Sequence, residues 1–327
     1  MASAHSKNLE IYNATNFIET LSEIGEANLY FTFGRSIPWP NENNPPQPDT
    51  STVSFTDIWR NIIGGKRINA SDATVCIPRF DWASGTTYTQ YDDRLDSKDL
   101  KNPSSKFYVV TDDFNVYKCL YNNNGGKSVI KPSLTLTNEP FQTPDKYVWK
   151  YMYSILSQDQ LKFATSEYIP VKTLSIKDGS TQWEVQNNAV DGAVHICQVT
   201  SKGTGYSSSN VFVQIVGDGF NANAFAVRDS TTNTISEIIV DDAGYGYTRA
   251  NVYIWGGNGT GAKAHAIISP TGGHGSDAVT ELGGSYVMLS VQLNNTESGK
   301  FSVSNDYRQI AIIRDPLDRA GSNVFSN

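Results

Sequence analysis

Apolar positions recur in short alternating runs, and 26 Gly and 13 Pro interrupt them densely, a pattern that predicts many short strands and few helices. Residues 1–65 read as helix, strand, loop, helix. Asn16 is placed to cap a helix in which Phe17, Leu21 and Ile24 recur at helical spacing, with Gly25 as its stop. Leu29, Phe31 and Phe33 then alternate with Tyr30 and Thr32, which predicts a half-buried strand ending at Gly34. Residues 38–50 carry five prolines among Asn, Glu and Gln; proline cannot donate to a sheet ladder, so this segment is an exposed, extended loop. Thr56 is placed to cap a second helix that buries Ile58, Trp59, Ile62 and Ile63.

From about 66 to 175 the pattern is β. Val109 and Val110, then Val116, Tyr117 and Cys119, flank the turn Thr111-Asp112-Asp113 and predict a hairpin. Tyr147, Trp149, Tyr151 and Tyr153 alternate with Val148, Lys150 and Met152. So many aromatics on one strand face suit either a buried sheet face or a protein interface. Ser157 and Gln160 form a capping-box pair for one more short helix. The last strands fall at 287–293 and 307–313 and are closed by Asp315-Pro316; the small, polar tail after Arg319 meets another chain or solvent.

Residues 193–266 contain a duplication. Gly203-Thr204-Gly205-Tyr206 followed by Val211-Phe212-Val213 matches Gly244-Tyr245-Gly246-Tyr247 followed by Val252-Tyr253-Ile254, at an offset of 41. Gly217-Asp218-Gly219 and the alternating Ala222, Ala224 and Ala226 match Gly257-Asn258-Gly259 and Ala262, Ala264 and Ala266, at an offset of 40. Gly205, Tyr206, Gly246 and Tyr247 mark the repeat turns. Alanine at every second position leaves a nearly flat face, which another layer or chain can approach closely. Two copies are too few for a solenoid, so a small β insertion packed on a main body is expected.

Length and composition narrow the function. A chain of 327 residues suits two domains, or one core with a large insertion. Charged residues make up 18% and aromatics 11%, which excludes a disordered chain. The net charge is −7 and no Lys/Arg run exists, so nucleic acid is not an expected partner. No run approaches the ~18 apolar residues of a membrane span, and residues 1–10 have no apolar core of a secretory signal. The Asn-x-Ser/Thr sites at Asn13, Asn69, Asn258 and Asn294 therefore carry no weight. Cys76, Cys119 and Cys197 are far apart and odd in number, as expected of buried thiols from a reducing compartment.

Candidate chemistry fails on detail. Gly126-Lys127-Ser128 lacks the first glycine of a P-loop, whose place is taken by Tyr121, and in 256–263 Ala262 separates Gly261 from Lys263. His5, His195, His265 and His274 are scattered without a metal-ligand spacing. The pairs Asp92-Asp93, Asp112-Asp113 and Asp241-Asp242 sit in turn contexts, and neighbouring strand residues point to opposite faces. There is no Gly-x-Ser-x-Gly elbow. No catalytic, cofactor or metal residues are assigned.

Several segments, in order, resemble one family. They are 30–39 (Tyr-Phe-Thr-Phe-Gly-Arg-Ser-Ile-Pro-Trp) with its proline-rich sequel, Thr56-Asp57-Ile58-Trp59, Ile77-Pro78-Arg79-Phe80-Asp81-Trp82, 116–120, 147–151, Glu167-Tyr168-Ile169, and 307–313 with Asp315-Pro316-Leu317. Together they cover about half the chain and are similar to the gene product eight family, baseplate wedge proteins of T-even-like contractile-tailed bacteriophages. The resemblance implies a mainly β fold, a layered β-sandwich with short helices in its loops. It also implies a non-enzymatic homodimer that bridges other baseplate wedge proteins and helps trigger sheath contraction, in a virion assembled in the host cytoplasm, without cofactors. The expected organisation is a body at 1–190, the duplicated insertion at 191–283, and returning strands at 284–327. Two departures stand out: the repeat has no counterpart in the T-even type, and the chain stops soon after Asp315-Pro316, where the family continues. Phe33, Gly34, Arg35, Pro38, Trp39, Trp82, Trp149 and Arg308 are the structural or interface candidates. Arg35 is expected to hold the proline loop by hydrogen bonds to its carbonyls and Trp39 by packing, or both simply finish the core. A competing function is a carbohydrate-binding or adhesin-like module in which Tyr206, Tyr245 and Tyr247 stack on sugars.

Overall fold

The computed structural model describes residues 6–22, 28–47, 49–95, 100–102, 104–292, 306–318, 320–322 and 324. Ile24, Gly25, Leu293, the Asn294 site and Arg319 with much of the tail lie outside the described residues. The helices are α1 (Lys7–Ser22), α2 (Thr52–Asn61), α3 (Ser157–Phe163), α4 (Thr181–Asn187) and α5 (Ala278–Leu282). The strands are β1 (Leu29–Gly34), β2 (Ile62–Arg67), β3 (Ala73–Pro78), β4 (Tyr108–Val110), β5 (Asn115–Asn122), β6 (Phe141–Gln142), β7 (Tyr147–Ser154) and β8 (Tyr168–Pro170). They continue with β9 (Val194–Thr204), β10 (Val211–Gly217), β11 (Asn223–Asp229), β12 (Thr234–Asp242), β13 (Ala250–Gly256), β14 (Thr260–Ile268), β15 (Tyr286–Leu289) and β16 (Gln309–Arg314). The fold is mainly β, with antiparallel sheets and short helices, as the dense punctuation predicts. Among the described residues no helix is long and apolar enough to cross a membrane.

The chain divides into two compact units. One comprises Met1–Tyr12 with Cys76–Tyr286, the other Asn13–Val75 with Val287–Asn327. The duplicated segment 191–283 lies whole within the first.

In the second unit β1 is the central strand of the sheet β16-β1-β2. Its hidden residues are Tyr30, Thr32 and Phe33, not the predicted Leu29-Phe31-Phe33 face. Thr32 can be buried because its hydroxyl donates to the Ala311 carbonyl at 3.0 Å. Helix α2 is capped by Ser51, whose Oγ accepts from the Ser54 N–H at 3.1 Å; Thr56 lies inside the helix. None of its residues is buried, and Ile62 and Ile63 belong to β2 instead, because the helix ends where the sheet edge begins.

Helix α1 begins nine residues before the predicted cap. Ser6 Oγ accepts from the Leu9 N–H at 3.3 Å, and Asn16 is an interior residue. The buried Ile11 and Ala14 extend the apolar stripe toward the N-terminus, and intervening polar residues hide that in the sequence.

The first unit is built around the sheet β4-β5-β7-β6. Tyr147, Trp149 and Tyr151 of β7 are fully buried and Tyr153 nearly so, which decides for a core face over an interface. Tyr88, Val109, Tyr117, Cys119 and Phe141 complete this cluster. The predicted hairpin forms between β4 and β5, with Phe114 at φ 57° in its turn. The capping box at Ser157 does not: Leu156 is the cap residue, and Gln160 Nε2 instead donates to the Ile155 carbonyl at 2.7 Å. Helices α4 and α5, capped by Ser180 and Asp277, were too short to show a periodicity.

Strands β9 to β14 form three two-stranded sheets, β9-β14, β10-β13 and β11-β12. β13 lies beside β14, β10 beside β11 and β12 beside β9, so the six strands close a ring around one core. The registers correspond under the sequence offsets. Ala224↔Val240 and Ala226↔Ile238 in one sheet answer Ala264↔Val199 and Ala266↔Cys197 in another, and the bulges fall at matching places. The β10-β13 ladder maps onto itself about Val213↔Ile254. The alanines face this core, where small side chains let the layers approach.

Candidate functional site

At the start of the proline loop, Gly34 has no room for a side chain, because a Cβ would overlap the Asn61 carbonyl. Arg35 follows with φ 52° and donates its N–H to that carbonyl at 3.0 Å. Its guanidinium lies 3.6 Å above the Trp39 ring, and Nη2 reaches the Pro38 carbonyl at 3.5 Å. Arg308, far away in sequence, completes the clasp. Its Nε donates to both Glu42 carboxylate oxygens at 2.8 and 2.9 Å, and its Nη1 donates to the Ser36 carbonyl at 3.3 Å. The Arg308 hydrogen bond holds the Glu42 carboxyl below its ordinary range. The buried Phe33 meets Tyr307 edge-on at 4.9 Å. Pro38 is exposed.

Trp82 and Trp149 belong to the first unit. The Trp82 indole N–H donates to Ser128 Oγ at 3.1 Å, and Trp149 stacks on Tyr147 at 5.4 Å. Because Trp149 is fully buried, it supports the core and offers nothing to a partner.

In the repeat, Gly205 and Gly246 adopt φ 77° and 73°, the left-handed turn conformation that favours glycine. Tyr206 and Tyr247, which follow them, are only 1% and 5% exposed, so neither can stack on a sugar; of the predicted platform Tyr245 alone is exposed. The outward rings are elsewhere. Phe212 and Trp255 stack at 5.8 Å on the outer face of β10-β13 beside the exposed Tyr253. Alternation along the two strands hid this face, since their inner residues are equally apolar.

Two clusters of ionisable groups escaped the sequence because their members are distant along it. Asp92, Asp93 and His265 come within 4.8 Å of one another. Arg94 already holds Asp92 through Nε at 3.0 Å and Nη2 at 2.8 Å, while His265 Nε2 lies 3.0 Å from Asp93. Deeper, Lys118 Nζ lies 2.7 Å from Glu281 Oε2 and 3.1 Å from His274 Nδ1, with all three side chains almost inaccessible. Glu281 Oε1 also accepts the Gly275 N–H at 2.7 Å. Burial opposes ionisation of Glu281, but the Lys118 charge and His274 outweigh it and pull the carboxyl to about 2. Burial and Lys118 push His274 down to about 3, and burial with Lys150 pushes the neighbouring His195 to about 4. His274 therefore stays neutral beside the buried Lys118–Glu281 ion pair.

Residues 4–128 match the family model described as Bacteriophage T4, Gp8. The chain is also 28% identical, over 209 residues, to the baseplate wedge protein gp8 of Enterobacteria phage T4. The resemblance to the gene product eight family holds. The aligned residues are 53% of this chain and 62% of that relative. The chain thus spans less than two thirds of the gp8 protein it matches. The family match includes the Phe33-to-Trp39 clasp and Trp82 and ends before the Gly/Tyr strands.

Proposed function

We propose that this protein is a structural subunit of a phage tail baseplate wedge, one that dimerises and bridges neighbouring wedge proteins. It is assembled in the host cytoplasm, retained in the virion, and takes part in the rearrangement that triggers sheath contraction. The single observation that carries this is the similarity to gp8, through both the family match and the 28% identity. The surface chemistry agrees. Stable interfaces bury roughly 1,200–2,000 Å² and are rich in aromatics, and Phe212, Tyr253 and Trp255 present such a face. Light scattering of the purified chain, then sedimentation after mixing with the other wedge proteins, tests it: a monomer that joins none of them refutes the proposal.

The same exposed aromatic face supports a second function, carbohydrate binding with Phe212, Tyr253 and Trp255 as the platform. A glycan array on the isolated chain separates the two, because retained sugars that are lost in Trp255→Ala favour the second.

A further inference from the structure

A cleft of about 440 Å³ runs along the seam where β9 and β12 lie side by side. Residues 195–197, Val199 and residues 236–243 form one wall, and residues 139–142 with Tyr121 and Val148 form the other. Three strand edges meet at it. β6 is the outermost strand of its sheet, and β9 and β12 are each paired on one side only. Within β6 and its continuation, the Thr143 N–H donates to the Tyr147 carbonyl at 2.9 Å. Antiparallel pairs alternate between bonded and non-bonded positions, so Gln142 turns its backbone N–H and C=O toward the open side. Such an edge is a template for one more strand.

The side chains fix what kind of strand fits. Along β12, Glu237 and Ile239 share one face by alternation, and Asp241 is exposed next to them at the bulge between Val240 and Asp242, an acid–apolar–acid sequence. Glu139 and Asp242 add further acids, and at the rim Glu237 accepts from Gln142 Nε2 and lies beside Lys146 Nζ, each at 3.3 Å. Phe141 and Val148 give the opposite wall apolar surface. The wall from 236 to 243 is long enough for roughly seven residues of extended chain, at about 3.3 Å each.

We propose that this cleft binds an extended peptide strand of another protein, in which basic residues alternate with apolar ones, adding it to the β6 edge. The inference stands on the cleft itself and survives failure of the wedge proposal, since it names a peptide chemistry and no assembly. A small ligand would leave the outward N–H and C=O of Gln142 unused, whereas a strand uses them and the acids together.

The test is a fluorescence anisotropy titration of the full chain with a labelled seven-residue peptide of alternating valine and lysine. The same peptide with glutamate for lysine is the control. Saturable binding is expected, at least tenfold tighter for the lysine peptide. The double variant Glu237→Gln, Asp241→Asn should weaken it at least fivefold with an unchanged melting curve. Gln142→Pro, which removes the outward donor, should abolish it; if that variant fails to fold, the surface double variant decides. Equal affinity for both peptides, no saturable binding of the lysine peptide, or a double variant that binds like the original overturns the proposal. So does displacement of the peptide by a neutral oligosaccharide at equal concentration, which would assign the cleft to sugars.

Discussion

Tyr206 lies against Gly259, and Tyr247 lies against Gly219, so each ring is housed by a glycine from the other half of the six-strand ring. Their hydroxyls repeat the exchange: the Ala262 N–H donates to Tyr206 Oη at 3.4 Å, and the Ala222 N–H donates to Tyr247 Oη at 3.3 Å. Neither half can close its core without the other. That reciprocity explains why both Gly-x-Gly-Tyr turns are present, and why two copies suffice where a solenoid would need more.

Gly259→Ala or Gly219→Ala drives a methyl group into a tyrosine ring, and overpacking of this kind costs about 1–3 kcal/mol. Tyr206→Phe removes only a long hydrogen bond and should cost about 1 kcal/mol or less. Urea unfolding of the three variants checks the order. A Gly259→Ala protein as stable as the original would mean that the ring does not rest there.

Much of this was visible in the sequence, and what was not has physical causes. The aromatic alternation of β7 and the hairpin of β4 and β5 are period-two signals over adjacent residues, and both appear where predicted. The cap errors at Asn16, Thr56 and Ser157 share one origin: Ser, Thr and Asn are common, and only backbone geometry selects the one that accepts an orphan N–H. The clasp was half legible, because Arg35 and Trp39 are close in sequence whereas the Glu42–Arg308 pair spans 266 positions. Lys118, His274 and Glu281 left no local trace, since each stands alone in its own segment until the fold unites them.

The Lys118–Glu281 pair is buried with side-chain exposures of 1% and 3%, so removing one partner strands a charge. Lys118→Met should therefore cost about 3–5 kcal/mol. Adding Glu281→Leu to it should restore part of that loss, since an apolar pair of similar volume needs no countercharge. Chemical denaturation of both single variants and the double variant completes the cycle. A double variant as weak as the sum of the singles would show that the two groups do not interact.

Acid should destabilise the first unit before its carboxylates protonate. His195 and His274 are held near 4 and 3, whereas an unfolded histidine titrates near 6.5. Below about pH 6.5 the unfolded chain therefore binds protons that the folded chain refuses, and stability falls by roughly 1.4 kcal/mol per pH unit per histidine until the folded values are reached. Glu281, depressed to about 2, contributes fully above its unfolded value near 4.5 and loses that contribution as pH falls toward 2. Lys118, Lys150, Tyr91 and Glu281 are the groups around these rings. Unfolding free energies at pH 7, 6 and 5 should decline steadily, and His195→Gln should reduce the slope by about half between pH 6 and 5. An unchanged slope in that variant would show that His195 is protonated in the folded state.

Arg308→Ala should release the proline loop without unfolding the sheet that carries it. The lost contacts are the paired bonds to Glu42 and the bond to the Ser36 carbonyl, all at an exposed surface, where ion pairs add little to global stability. They do fix a segment of thirteen residues, 38–50, whose described residues belong to no strand. The melting temperature should therefore stay nearly constant while limited proteolysis within 38–50 accelerates several-fold. Arg308→Lys should give an intermediate rate, since an ammonium cannot span both carboxylate oxygens as the guanidinium does. Arg35→Ala should act on the same end of the loop by exposing the Trp39 ring face, which a blue-to-red shift in tryptophan emission reports. Cleavage of Arg308→Ala at the original rate would place the restraint on the loop in its prolines alone.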